Sequence, residues 1–448
     1  MSQSHHYIPV TDDELAEMLA VIGVRDMDAL LEPVPLEIRE KSAMDLPRML
    51  TETEVLRLLR GKAAQGHGDA ISFLGAGIYD HATPAAVDAI LQRSEFYTAY
   101  TPYQPEVSQG TLQAIYEFQT MVCELFGMDI SNASVYDGSS ALTEAVLMAR
   151  AQTRRTRTVF AGPVHTFYRQ VLESTTVGMD LEFIDAKIVD GRSDAAKVAE
   201  IMDDTTACVV VQQPNFFGQI EDIAPLAEIA HEHGAMLIVS ADPLALSILE
   251  APGNLGADIV IGEGQSLGVP SSFGGPALGL FAVKDALKRK LPGRLVGRSI
   301  DSRGQQAFVL TLQTREQHIR REKATSNICT NQSLIALAAT VYLSLMGPSG
   351  LRSVAETSMQ NAHYAADQIA EIDGYELAYN GAFLYEFVVR CPRPAREIIS
   401  ALVDRDLLPG VDMSVFGGPA DHLMIAVTEK RTRADIDLLA RSLAEIGS

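Results

Sequence analysis

A polar loop rich in tyrosine is the most unusual stretch of this sequence. Residues 97–110 read Tyr-Thr-Ala-Tyr-Thr-Pro-Tyr-Gln-Pro-Glu-Val-Ser-Gln-Gly and show neither helical nor strand periodicity. The two prolines stiffen the backbone, so holding this loop in one position costs little entropy, which suits a loop that positions a ligand. A tyrosine-rich packing loop is the alternative interpretation.

Two further groups of polar residues follow predicted strands, where open α/β sheets bind their ligands. Asp137-Gly138-Ser139-Ser140-Ala141 opens a helix, whose first N–H groups and two hydroxyls would suit a phosphate. An ordinary N-cap explains the same residues. His165, after the next strand, could stack on a planar cofactor ring or lie in solvent.

A second polar segment, residues 314–331, carries charges of both signs. A solvated helix with a cap would explain most of it. The turn Ala-Thr-Ser-Asn at 324–327 is harder to explain in this way, because a long apolar helix follows it. We therefore keep this turn as a candidate binding element.

The elements that must position these residues divide the chain into three predicted parts. Residues 1–70 form a helical arm, with capping boxes at Thr11/Glu14 and Thr51/Glu54. Residues 71–330 form a large α/β domain with a mostly parallel seven-stranded sheet, and residues 331–448 a small α+β domain. The seven strands are expected at Ser134–Asp137, Val159–Ala161, Leu181–Ile184, Ala207–Gln212, Met236–Ser240, Asp258–Ile261 and Ala277–Val283.

The composition excludes several classes of protein. A net charge of −22 and a pI near 4.8 argue against binding to nucleic acid or to anionic membranes. The longest apolar run, 335–346, is too short to span a bilayer, and residues 1–10 lack a signal-peptide pattern. Four widely spaced cysteines show no metal-ligand spacing. We expect a cytoplasmic protein with no metal, whose cysteines are reduced core thiols.

Four motifs in fixed order resemble a known family. They are the tyrosine loop at 100–110, Asp-Gly-Ser-Ser-Ala at 137–141, Gly-Gln-Ser-Leu-Gly-Val-Pro at 264–270 with Phe-Gly-Gly-Pro at 273–276, and Arg-Arg-Glu-Lys-Ala-Thr-Ser-Asn-Ile-Cys-Thr at 320–330. Together they resemble the P-protein of the glycine cleavage system, in the first subunit of its two-subunit form. The likeness spans nearly the whole chain.

The resemblance implies a fold and an activity. The fold would be that of the pyridoxal-phosphate (PLP)-dependent aminotransferases, fold type I. The activity would be that of glycine dehydrogenase (aminomethyl-transferring), an oxidoreductase that decarboxylates glycine and passes the aminomethyl group to the lipoyl arm of H-protein. A homologous second subunit would complete an α2β2 heterotetramer with its sites at the α–β interfaces.

The sequence departs from a self-sufficient PLP enzyme at the position that matters most. PLP enzymes hold the cofactor on a lysine in the turn after a late strand, and here that turn has Ser266. One alternative is that this chain is a self-sufficient desulfurase or transaminase, in which case Lys284 or Lys323 would have to hold the cofactor. A non-catalytic scaffold is the other alternative. The resemblance instead implies PLP held by the partner, with a vestigial site here comprising Gly138, Ser139, Ser140, His165, Asp242 and Ser266.

The resemblance also implies which residues would serve the partner's site. Thr325, Ser326 and Asn327 would contact the phosphate of its PLP. One arginine of Arg315, Arg320 and Arg321 could bind the glycine carboxylate, although surface pairs with Glu316 and Glu322 would explain at least two of them. The residues that would line its pocket, with individual roles left open, are Tyr97, Tyr100, Tyr103, Gln104 and Glu106.

Overall fold

The computed structural model describes residue 7 and residues 9–42, 46–324 and 326–447. The chain separates into two compact units, Met1–Gly68 and Asp69–Ser448. The proposed division between residues 330 and 331 stays an interpretation, because the second unit holds the elements on both sides of it.

The N-terminal unit is helical, as predicted. Both capping boxes are present: Thr11 and Thr51 each accept from the backbone N–H of the glutamate three residues later, which bonds back to them. Leu19 is the one large apolar side chain of these helices that is buried, among the described residues. The helices are α1 Asp12–Ile22, α2 Met27–Leu30, α3 Leu36–Lys41 and α4 Glu52–Ala63.

The second unit contains fifteen strands and eleven helices in its described residues. The strands are β1 Ile71–Ser72, β2 Ile130–Ser131, β3 Arg157–Phe160, β4 Glu182–Asp185, β5 Thr206–Gln213, β6 Met236–Ala241, β7 Ile259–Glu263, β8 Gly279–Val283, β9 Leu295–Ile300, β10 Gln306–Thr311, β11 Glu376–Leu377, β12 Glu386–Arg390, β13 Leu407–Leu408, β14 Val411–Asp412 and β15 His422–Ala426. The helices are α5 Ala85–Leu91, α6 Ser94–Tyr97, α7 Gln109–Phe126, α8 Gly138–Thr153, α9 Thr166–Thr175, α10 Ala195–Ala199, α11 Ile223–Glu232, α12 Gln317–Arg320, α13 Ser333–Ala370, α14 Ala395–Val403 and α15 Arg433–Gly447.

The main sheet has seven strands in the order β2-β8-β7-β6-β5-β3-β4. Five adjacent strands of the sheet, β4, β3, β5, β6 and β7, run parallel to one another. Strand β8 is antiparallel to both of its neighbours, β7 and β2. The central strands β5, β6 and β7 are continuous apolar runs because separate hydrophobic clusters cover the two faces of the sheet. The predicted α/β class and the mostly parallel sheet of seven strands are confirmed.

The first predicted strand was wrong. Ser134–Asp137 is not a strand; the edge strand is β2, a few residues earlier, and Val135 forms only an isolated bridge to Gly279. The Asn132 side chain accepts a hydrogen bond from the Ser134 N–H, and Ser134 has a φ of 98°. This local turn ends the extended conformation before the predicted strand begins.

The C-terminal part carries the four-stranded antiparallel sheet β11-β12-β15-β14, packed with α13 and α15 around a second hydrophobic cluster. The first strand of the second unit, β1, pairs with β13 near the end of the chain. The antiparallel hairpin β9–β10 was not predicted.

Helix α13 alone, among the described residues, is long and apolar enough to cross a membrane. It is interrupted at Gly347, whose φ of 59° and ψ of −178° are not helical, and Pro348 follows. Ala338, Ala339 and Tyr342 of this helix belong to the main hydrophobic cluster. Part of its apolar surface is therefore buried within the protein.

The four cysteines are all free. Cys208 and Cys391 are buried and Cys123 is half-buried, as expected for core thiols. Cys329 is exposed, so the prediction that all four lie in the core was wrong.

Candidate functional site

A narrow cavity lies at the carboxyl ends of β5, β6 and β7. His165, Asp242 and Ser266, which are far apart in sequence, all line it. Ser139 lines an adjoining cavity that shares His165 with the first. The structure thus brings the predicted vestigial residues to one edge of the sheet, where ligands of this architecture bind.

The N-terminus of α8 is already occupied by carboxylates. Asp137 caps the helix by accepting from the Ser140 N–H at 2.6 Å and from the Ser139 hydroxyl at 2.7 Å. The Glu263 carboxylate accepts from the Gly138 N–H at 3.0 Å. Two of the N–H groups expected to bind a phosphate, those of Gly138 and Ser140, are therefore bonded to acidic side chains of the same chain.

The ring of His165 is stacked on an aromatic neighbour. Tyr168, one turn later in α9, lies parallel to it, with ring centroids 4.7 Å apart and an interplanar angle of 15°. The far end of the Tyr168 ring lies against the start of α8. The contact is so close that a Cβ added at Gly138 would come within 2.7 Å of Tyr168 Cζ. Tyr168 thus fills the space between the stacking histidine and the helix N-terminus.

The hydrogen bonds of His165 fix its protonation. The N–H of Phe167 donates to Nδ1 at 3.1 Å, so Nε2 carries the hydrogen that bonds the Ala76 carbonyl at 2.9 Å. Burial lowers the pKa of His165, which favours this neutral form.

Three carboxyl groups converge on the cavity. Burial raises the pKa of Glu386 to about 7. Hydrogen bonds from the Ala76 N–H at 2.7 Å and the Tyr79 hydroxyl at 2.9 Å lower this pKa, but by less than burial raises it. Desolvation also raises the pKa values of Asp242 and Glu263. Asp242, which directly follows β6, accepts from the hydroxyl of Tyr385. The burial that raises these pKa values disfavours a charged group in the cavity.

No lysine lines this cavity in the described part of the chain. Ser266 is buried there, and the neighbouring Gln265 side chain bonds to Tyr79 and to the Val269 carbonyl. Lys284 contacts Asp258 at 3.1 Å, and Lys323 is exposed on the surface. Neither rival lysine is placed to hold a cofactor in this cavity.

The tyrosine loop presents its side chains to solvent. Tyr97, Tyr100 and Tyr103 are 68%, 78% and 49% exposed. Gln104 and Glu106 are exposed as well. None of these five residues lines the cavity described above.

The base of the loop is nevertheless fixed to the rest of the domain. Gln109 bonds to both backbone groups of Phe308 in β10, each at 2.9 Å, and donates to the Pro105 carbonyl at 2.7 Å. The loop is therefore an anchored element whose polar face is uncovered in the isolated chain.

Arg294 is a residue of this region that the sequence reasoning missed. It is buried directly before β9, and its guanidinium donates to the Tyr103 hydroxyl at 3.2 Å and to Asn331 Oδ1 at 3.4 Å. The His318 ring packs edge-on against Tyr103 as well, with centroids 6.1 Å apart. A lone arginine in the apolar stretch 291–296 was the available sequence signal.

The second candidate segment lies elsewhere on the surface. Ser326 and Asn327 line a groove with Leu147 and Arg150 of α8, and none of the loop tyrosines lines it. Thr325 lies outside the described residues. The structure does not bring this segment and the tyrosine loop into one pocket of the isolated chain.

The three candidate arginines differ in placement. Arg315 is half-buried and donates to the Leu291 carbonyl, and burial lowers its pKa. Arg320 and Arg321 are exposed. Glu316 is buried and lies 3.7 Å from His318, and its charge acts to raise the pKa of Arg315 against the larger effect of burial.

Comparisons with known proteins agree with one another. A family model described as "Glycine cleavage system P-protein" matches residues 5–443. The chain is 53% identical to the probable glycine dehydrogenase (decarboxylating) subunit 1 of Chlorobaculum parvum, covering 98% of this chain and 100% of the relative. It is 47% identical to the protein of the same description from Bacillus cytotoxicus, covering 99% of each chain.

The solved structures extend this likeness to the fold. The crystal structure of glycine decarboxylase (P-protein) of the glycine cleavage system, in inhibitor-bound form, matches with a TM-score of 0.90 and 41% identity, covering 99% of this chain and 100% of that one. Glutamate decarboxylase of Lactobacillus brevis matches with a TM-score of 0.68 and 14% identity, covering 91% and 95%. This second likeness concerns the fold alone, which is that of the PLP-dependent fold type I enzymes.

Proposed function

Since this chain belongs to the glycine cleavage system P-protein family, we propose that it is active only together with a homologous second subunit that holds PLP. Its relatives place it in the glycine cleavage system as subunit 1 of glycine dehydrogenase (decarboxylating). The observation that carries the proposal is the lining of its own cavity, which includes no lysine among the described residues and in which Glu263 already bonds the start of α8.

That cavity does not fit PLP in three respects. Ser266 stands where a lysine would form the covalent bond to the cofactor. Glu263 takes the Gly138 N–H that a phosphate would need, and the burial that raises its pKa also disfavours the charge of a phosphate dianion there. Tyr168 is stacked on one face of His165, so that face is closed to a cofactor ring. We therefore assign no reaction step to this cavity.

The tyrosine loop supports a role in the partner's site. When bound in the partner, PLP supplies the electron sink for decarboxylation. We propose that Tyr97, Tyr100, Tyr103, Gln104 and Glu106 line that pocket, where phenols and the amide donate hydrogen bonds to the carboxylate of glycine. Their exposed side chains and anchored backbone suit this role, because a prepositioned loop loses little entropy on binding.

The remaining parts of the proposal follow from the family. An α2β2 heterotetramer would place one site at each α–β interface, with Ser326, Asn327 and Thr325 contacting the phosphate of the partner's PLP. Enclosure between subunits excludes water and protects the aminomethyl group until lipoylated H-protein accepts it. We propose that this assembly works in the cytoplasm.

The first experiment compares the chain alone with the chain bound to its second subunit. Each is mixed with PLP, scanned in the visible range and reduced with borohydride. We expect no trapped lysine adduct on this chain and one adduct on each partner subunit. A stoichiometric adduct at Lys284 or Lys323 would instead make this chain a self-sufficient PLP enzyme and overturn the proposal.

The role of the loop is tested in the reconstituted complex. Tyr103→Phe removes the hydroxyl and Glu106→Gln removes the negative charge of an exposed side chain, so both are expected to lower glycine turnover while the complex still assembles. Glu117→Gln, at an exposed position of α7, is the matched control and should leave turnover unchanged. Unchanged turnover in both loop variants would refute the assignment and favour a scaffold.

A further inference from the structure

A buried guanidinium beneath the tyrosine loop has no acidic partner. Arg294 is 4% exposed, and no carboxylate lies within 4 Å of it in the described part of the chain. Its Nε is buried without an acceptor there. Since an arginine remains protonated when buried, this position carries a desolvated positive charge.

Such a charge does not stabilise the folded state. A buried cation without a counter-ion loses hydration that its hydrogen bonds only partly replace. Among the described residues, the side-chain acceptors of Arg294 are Asn331 and Tyr103. Asn331 is itself held by its bond to the Ala133 carbonyl at 2.7 Å. One end of the guanidinium is thus fixed to the domain, and the other end is directed at the loop.

The contact restrains Tyr103 in two ways. The guanidinium donates to the phenol oxygen, and its Cζ lies 5.6 Å from the ring centre. His318 packs edge-on against the same ring. Because Arg294 uses an acceptor position of the phenol oxygen, the O–H hydrogen must point elsewhere and is available to a ligand. A cationic donor on that oxygen also strengthens the hydrogen bond that the phenol donates.

We propose that Arg294 is a positioning residue for Tyr103, which it holds so that the phenol O–H donates to the carboxylate of glycine in the partner's site. The inference rests on the proposed function and goes beyond it, because it assigns the carboxylate contact to one tyrosine. It also places the relevant arginine behind that tyrosine and not in direct contact with substrate.

The test is a double-mutant cycle in the complex of this chain, the PLP-carrying subunit and lipoylated H-protein. We expect Arg294→Gln and Tyr103→Phe each to lower kcat/KM for glycine by about 10- to 100-fold, the range for one hydrogen bond to a charged group. The double variant should be no worse than either single variant, because both remove the same contact. Arg298→Gln, at an exposed arginine of the adjoining strand β9, is the control and should have no effect.

Other outcomes would overturn the inference. Multiplying losses in the double variant would mean that Arg294 acts independently of Tyr103. A lower melting temperature with unchanged kcat/KM per assembled complex would give Arg294 a structural role only. If the second subunit alone were as active as the complex, the proposed function itself would fail. Multiplying losses in an active complex would refute only the role of Arg294, so the two failures can be told apart.

Discussion

Replacing the buried Glu386 by glutamine should stabilise the chain, and more so as the pH rises. Burial raises the pKa of Glu386 from an ordinary 4.5 to about 7. Below pH 4.5 the group is protonated in the folded and unfolded chain alike, so it contributes no pH dependence. Between pH 4.5 and 7 the unfolded chain loses the proton first, and the folded state becomes progressively less stable. Above pH 7 the loss is complete.

The size of the effect follows from that pKa. A displacement from 4.5 to about 7 corresponds to about 3 kcal/mol above pH 7. Glutamine keeps an oxygen for the Ala76 N–H, and its amide can donate to the Tyr79 hydroxyl once that hydroxyl turns. A chain of 448 residues unfolds with an entropy of about 0.9 kcal/mol/K. The melting temperature should therefore rise by about 3 °C at pH 8 and by less than about 1 °C at pH 5.

The assay is thermal unfolding of the purified chain in steps from pH 5 to pH 8. Each Glu386→Gln curve is paired with the unsubstituted chain and with Glu371→Gln, an exposed glutamate that should show no trend. A pH-independent change, or a gain that shrinks as the pH rises, would show that Glu386 is not a protonated acid in the folded state.

Two further predictions concern the cavity at the carboxyl ends of β5, β6 and β7. Ser266→Lys alone should yield no borohydride-trapped PLP adduct, because Glu263 and Tyr168 still occupy the cofactor's place; a stoichiometric adduct would contradict this. Gly138→Ala should destabilise the chain by about 1–3 kcal/mol in thermal unfolding, since the new Cβ meets the Tyr168 ring. Gly110→Ala, with nothing within 4 Å of the added Cβ, is its control, and equal melting temperatures for the two variants would refute the reasoning.

The sequence was most informative where local pattern decides structure. The apolar runs of β5, β6 and β7 were predicted to within two residues at each end, because a strand covered on both faces must be apolar throughout. The capping boxes were predicted because all their partners lie within three residues. The hairpin β9–β10 was missed, since Gly297 and several polar residues interrupt its apolar alternation.

The interior of the site could not be predicted in the same way. Glu263 and Gly138 are separated by 125 residues, and Arg294 and Tyr103 by 191. Only the packed fold brings such pairs together, so sequence alone could name candidates but not their contacts. Tyr168 shows the limit: an aromatic three residues after a histidine is ordinary in a helix, and its stacking on His165 becomes visible only in three dimensions.

The tyrosine that lies on His165 also changes what holds this subunit together. A protein that folds around a dissociable ligand gains stability in proportion to the logarithm of ligand concentration. Here the stacking and the helix-terminal hydrogen bonds come from Tyr168 and Glu263, which are part of the chain and always present. The melting temperature of the isolated subunit should therefore be independent of vitamin B6 supply. Under the function proposed above, this subunit would persist intact in a cell short of that vitamin, while the second subunit would be left without cofactor.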